Sequence, residues 1–346
     1  TAPTITSITS STANGKYTVG ANISVRINFS ESITLVGTMG INLDSGGVCV
    51  ISAFTGTTAT GTYTILAGQA TADLAATSVV VNTTARDPSL NNLVTTLPVT
   101  NIATGSNIAI DTAVPTITSI TSSTANGYYK AGSNISVTIN FSEAITLTGT
   151  MGINLDSGGL VVINGFSGTT ATGAYTVLAG HISSDLTATN VTVSGTARDA
   201  ALNNLVTTLP ATNIANGSAI VIDTTSPYIS GIVSSTSNGY YKVGAIISVR
   251  VNFSEAITLV GTMGVNLDTG GVAVINAFSG TTATSTYTVL TGHNSLALVA
   301  TSVVVSGTAC DQALNNLITT IPTTNISNVW LYQKSHTINA TTGSGT

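Results

Sequence analysis

The chain has 346 residues and a formal net charge of −5, and only 6% of its residues are charged. Its eight lysines and arginines are scattered, so no basic stripe is available to follow a phosphate backbone or an anionic lipid surface, which argues against nucleic-acid and membrane-surface partners. Mean hydropathy is high at +0.43, but Thr, Ser, Asn or Gly breaks every apolar run well short of the ~20 residues a spanning helix requires.

In chain order, Thr1-Ala2-Pro3 reads as the middle of a linker that returns later, which implies a processed or excised segment of a secreted precursor. Asn14-Gly15 is expected to make a turn, since both residues tolerate positive φ. Ile23, Val25, Ile27 and Phe29 then alternate with polar residues, the period of a half-buried strand. Glu31 follows and is expected to enter a loop. Asp44 lies in Leu-Asp-Ser-Gly-Gly, where it is expected to bond its own turn. Further β-rich runs pass through Tyr63 and Val79–Val81, and Asp87 sits in a late, turn-rich loop. No useful stretch has apolar residues at helical spacing.

A displacement of 112 residues superposes Pro3 on Pro115 and Pro227, Phe29 on Phe141 and Phe253, and Asp87 on Asp199 and Asp311. The chain therefore divides into repeats 1–112, 113–224 and 225–336 with a tail at 337–346. About seven short strands per ~110 residues predict an all-β molecule, three tandem immunoglobulin-like Greek-key β-sandwiches in an elongated array.

Pro-Thr-Ile-Thr-Ser-Ile, Phe-Ser-Glu, Tyr-Thr-Val-Leu-Ala-Gly, Asp-x-x-Leu-Asn-Asn and the linker Ile-Asp-Thr together resemble the bacterial immunoglobulin-like or cadherin-like tandem repeats of large secreted surface proteins. That resemblance covers nearly the whole chain and implies an extracellular, cell-surface location, with work in adhesion or surface layers.

All 13 acidic residues fall in five repeating columns. In a sandwich of this topology the Glu31 and Asp87 columns share the end that meets the preceding linker, where Asp111 and Asp223 stand. Asp111, Glu143 and Asp199 are thus expected to converge, as are Asp223, Glu255 and Asp311. Three carboxylates at a joint suit Ca²⁺, which takes six to eight oxygen ligands; the competing reading is a set of Asx turns and strand caps. Ser335 occupies the linker-Asp column at the chain end, where no joint follows. The Asp73 column becomes Ala297 in the third repeat and is assigned no role.

No catalytic constellation is visible: His181 and His293 form one column that is Gln69 in the first repeat, and His336 is isolated. The chain is therefore read as non-enzymatic. Cys49 and Cys310 fall at non-equivalent positions, leaving free thiols or an intersubunit bridge.

After Asn325-Ile326 the repeat pattern breaks and gains Trp330 and Tyr332, residue types enriched at interfaces. Val329, Trp330, Leu331, Tyr332 and Ile338 are accordingly expected to contact another copy of the chain, by strand addition or head-to-tail packing. The leading functional expectation is a subunit of a self-assembling cell-surface fibre or surface layer, with copies of itself as partner. The alternatives are the stalk of a large adhesin, or a module that binds glycans or other surface proteins. A single Trp and 5% aromatic content argue against the glycan reading.

Overall fold

The computed structural model describes residues 1–331 and is all-β, with several sheets in an arrangement consistent with a β-sandwich. The first repeat opens with β1 (Ile5–Thr9) and β2 (Gly15–Tyr17), then runs through β3 (Asn22–Leu43) and β4 (Val48–Thr64). It closes with β5 (Ala76–Val81), β6 (Thr84–Arg86), one helical turn α1 (Ile102–Gly105) and β7 (Ile108–Ile110). Strands β1, β4, β5 and β6 all pair antiparallel with β3, while β2 and β7 pair in parallel as a second, small sheet.

Two of these strands are long, at 22 residues for β3 and 17 for β4, where short strands were expected. Neither contains proline, and their glycines are absorbed into the strands rather than ending them. The hairpin turns only at Asp44–Gly47, where Gly46 takes φ 85°, a conformation that costs glycine little. Strand β3 bends through a wide bulge: Asn28 faces Thr58 and Ile33 faces Gly56, so Phe29–Ser32 stand opposite the single residue Thr57. Glu31 lies inside that bulge, in a continuous strand and not in the expected loop.

Alternation along β3 places Ile23, Val25, Ile27 and Phe29 in the core. Ile108 and Ile110 of the small sheet join the same buried cluster, and Phe29 stacks on Phe54 at 5.8 Å. Burying each such side chain contributes about 1.5–3 kcal/mol. Two further clusters repeat this packing around Ile135–Phe141 and Ile247–Phe253, and no residue is shared between clusters.

The second repeat comprises β8 (Ile117–Ser122), β9 (Gly127–Tyr129), β10 (Asn134–Leu155), β11 (Leu160–Thr176), β12 (Ile182–Ser183), β13 (Ala188–Arg198), α2 (Ile214–Gly217) and β14 (Ile220–Asp223). The third comprises β15 (Ile229–Val233), β16 (Gly239–Tyr241), β17 (Ile246–Leu267), β18 (Val272–Thr288), β19 (Ala300–Cys310) and β20 (Val329–Leu331). Strand β13 is unbroken where the first repeat has β5 and β6, because Gly195 crosses Gly149 so closely that a Cβ on Gly195 would lie 2.0 Å from the Thr148 carbonyl oxygen. The first repeat has Thr83 at that position, and the strand is interrupted there.

The third repeat is shorter than the 112-residue spacing implies. Val329 pairs with Gly239 as Ile108 pairs with Gly15, and its carbonyl accepts from Leu298 as that of Ile108 accepts from Leu74. Three residues are therefore missing after Ile326, and with them the helical turn. In this register Leu331 matches Ile110, so the residue in the linker-Asp column is Tyr332 and not Ser335.

Asn14 also departs from expectation. It does not form a hairpin turn; its Oδ1 accepts from the Asn107 N–H at 2.9 Å, which docks the start of β2 onto β7.

Candidate cation sites at the two joints

Three segments converge where the first repeat meets the second. The linker leaves β7 at Asp111, whose N–H donates to the Tyr17 carbonyl at 3.0 Å, and whose Oδ1 accepts from Ala113 N–H at 3.2 Å. It is then caught by the bulge of β10: Ser142 N–H donates to Thr116 O, and Thr116 N–H donates to Ser142 Oγ, both at 2.9 Å. That clasp places the neighbouring Glu143 against the linker, a case of a bulge re-aiming a side chain beside a site.

The third segment is the loop Asp199–Asn203. Asp199 Oδ1 accepts from Asn203 N–H at 2.8 Å and Oδ2 from the Asn203 side-chain amide at 2.7 Å. Leu202 sits between them at φ 70°, an uncommon conformation for a residue with a branched side chain. The same Asn203 amide donates to the Asp111 carbonyl at 3.0 Å, and Thr18 donates its hydroxyl to Asn203 Oδ1. One asparagine therefore holds the carboxylate, the linker and the preceding repeat.

Asp111, Glu143 and Asp199 each present a carboxylate oxygen within 4.8 Å of the others, and Asp223, Glu255 and Asp311 do the same at the second joint. The second joint copies the clamp: Asn315 donates to Asp311 Oδ1 at 2.8 Å, to Oδ2 at 2.9 Å and to the Asp223 carbonyl at 3.0 Å. Asp199 and Asp311 are buried, and the other four acids are half-buried. Burial raises the pKa of Glu143, Asp111 and Asp199 raise it further, and Lys16 pulls it back. Burial likewise raises Glu255, followed by Asp223 and Asp311, with no lysine opposing them. The donor set consists of hard oxygens that repel one another, so it fits a hard divalent cation.

The other conspicuous residues are occupied structurally. Asp44 does not bond its own turn; it accepts from Thr71 Oγ1 at 2.8 Å and from Ala75 N–H at 3.0 Å, tying the hairpin to a later loop. His181 Nδ1 accepts from the Tyr175 hydroxyl at 2.7 Å and from Leu178 N–H at 3.3 Å. Gln69 Oε1 receives the equivalent pair from Tyr63 and Leu66, which explains why His and Gln exchange in this column. Cys49 and Cys310 are free; Cys49 is sealed in the core, where burial pushes its thiol up to about 11.

At the chain end, Val329 and Leu331 are buried in the third repeat's own core, occupying the places of Ile108 and Ile110. Trp330 is half-buried and packs on Tyr240 with ring centroids 5.5 Å apart. Of the expected assembly residues only Trp330 thus offers surface, while Tyr332 and Ile338 lie outside the described residues.

Asn203 and Asn315, which organise both joints, escaped the reading of charges alone. Their signal was the thrice-repeated Leu-Asn-Asn that follows each Asp. Among the described residues no helix is long and apolar enough to cross a membrane. No family model matches the chain, and no curated protein matches it significantly.

Proposed function

We propose that this is a non-enzymatic extracellular structural protein: three tandem immunoglobulin-like sandwiches that polymerise into a cell-surface fibre or surface layer, with Ca²⁺ at both joints. The observation that carries the reading is the duplicated joint, in which the same Asp, Glu and Asn columns bind each repeat to the next. A surface with few charges supports it too, because repulsion between copies is weak. At each joint the two aspartates and the glutamate would hold the ion, which would supply the positive charge that three clustered carboxylates lack.

The test is electron microscopy and light scattering of the purified chain, with millimolar calcium and then with excess chelator. Polymers in calcium, and a melting temperature that falls on chelation, are the expected outcome. Monodisperse rods under both conditions would favour the adhesin stalk instead.

A further inference from the structure

We propose that copies of this chain dock head to tail, the trailing face of the third repeat receiving the Asp87–Asn92 loop of the next copy. This rests on the self-assembly reading above and names the surfaces that carry it.

The argument begins with the four lysines of the sequence, Lys16, Lys130, Lys242 and Lys334. Three of them fall one per repeat, within or just after the short strand that opens the small sheet. At the first joint Lys16 faces Glu143 closely enough to lower its pKa, and two residues on Thr18 bonds Asn203. At the second joint the positions exchange character: Tyr128 replaces Lys16, and Lys130 replaces Thr18 and donates its ammonium to the Leu314 carbonyl at 3.0 Å. Each trailing face therefore sets one cation against the acidic end of the next repeat, on the bulge glutamate at the first joint and on the Asp-x-x-Leu-Asn-Asn loop at the second.

The leading face of the first repeat and the trailing face of the third retain both halves of this arrangement. Lys242 is the counterpart of Lys130, and with Tyr240, Tyr241 and Ala245 it lines an open hollow. Its ammonium has no partner among the described residues. At the opposite end Asp87 is clamped by Asn91 at 2.8 and 2.7 Å, Leu90 has φ 65°, and Glu31 stands in its bulge, all as at the joints. Exposure shows what a joint covers. Leu90 is 72% exposed against 59% for Leu314, and Tyr240 80% against 43% for Tyr128. Placing Lys242 against the Leu90 carbonyl, beside Glu31 and Asp87, would repeat the second joint between copies. The contact is heterologous, so it propagates instead of closing in pairs. Tyr240 and Trp330 would supply its apolar surface.

The experiment is sedimentation velocity across a concentration series in calcium, on the full chain and on Lys242→Glu. Reversing the charge should raise the concentration needed for assembly by about tenfold or more, since like charges meet at the contact. As a second measurement, Lys242→Cys with Ser89→Cys, which leaves the Asp87–Asn91 clamp intact, in a Cys310→Ser background, should give a ladder of covalent multimers on oxidation. Either single cysteine should stop at dimers. Polymers that form equally well with Lys242→Glu, together with an absent ladder, would overturn the docking while leaving self-assembly standing. A parent chain that stays monomeric at every concentration would remove both.

Discussion

The two joints share their acids and differ in the bases set against them. At the first, Lys16 faces the triad and a threonine hydroxyl holds the clamping asparagine. At the second, a tyrosine stands in place of Lys16, and the lysine has moved to the backbone carbonyl of Leu314. The geometry that brings three carboxylates within 4.8 Å is thus independent of the charge that compensates them. Two backbone features, a bulge and a positive-φ leucine, and one side-chain clamp of Asp on Asn set the geometry. The balance of charge rests on one exposed side chain, which is free to vary.

The clamp should give the largest effect. Asp199→Ala or Asp311→Ala removes two hydrogen bonds to a charged acceptor and leaves the asparagine backbone N–H without its acceptor, while the side-chain amide keeps the linker carbonyl, costing about 3 kcal/mol locally. Hydrogen exchange at the Asn203 and Asn315 amides should report equal losses at the two joints. Unequal losses would mean that the joints are not held alike.

The glutamates separate the joints. Both Glu143 and Glu255 have folded pKa values raised above the ordinary value, so folding favours their protonated forms. The contribution of these two groups to stability is therefore fully present at pH below the ordinary glutamate range and is lost as pH rises through the raised values. In chelator at neutral pH, Glu143→Gln and Glu255→Gln should each stabilise, by up to about 1 kcal/mol after solvent screening. The gain should be greater at Glu255, which has no lysine to relieve it. If calcium occupies the joints as proposed, the sign should reverse at both in its presence, because each substitution would remove a ligand. Thermal melts of the two variants with and without calcium measure this, and the double exchange Lys16→Tyr with Tyr128→Lys should invert the ranking.

Much of this was legible in the sequence for a simple reason. Period-two alternation at Ile23–Phe29 and charge confined to a few columns are both one-dimensional signals, and the structure brings together the acids those columns indicated. What escaped depended on pairing. The length of β3 and β4 reflects a bulge that no residue type announces, since Phe-Ser-Glu reads equally well as a strand end. The missing three residues near Ile326 were hidden because an ungapped displacement still aligns Asn325-Ile326 with Asn101-Ile102; only the pairing of Val329 with Gly239 exposes the shift. Val329 and Leu331 looked like additions to the surface, yet they are the ordinary last strand of the core moved forward by that shift.

The smallest expected effect concerns the third repeat against the other two. In the first, the Asn28 amide donates to Ser7 Oγ at 2.7 Å, and in the second Asn140 donates to Ser119 Oγ at 2.9 Å. The third repeat has Gly231 opposite Asn252, and the buried Asn252 Oδ1 has no hydrogen-bond partner. A Cβ on Gly231 would meet Thr324 Cγ2 at 3.4 Å and Asn252 Nδ2 at 3.5 Å, both ordinary contacts, and the backbone there does not need glycine. Gly231→Ser should therefore restore the amide–hydroxyl bond and orient the Asn252 side chain toward its neighbours. It also restricts the unfolded chain, and the two effects together should add about 0.5–1 kcal/mol. Denaturant unfolding of this variant should show a higher midpoint for the third repeat alone. A midpoint that falls would mean that the space beside Asn252 is needed as it stands.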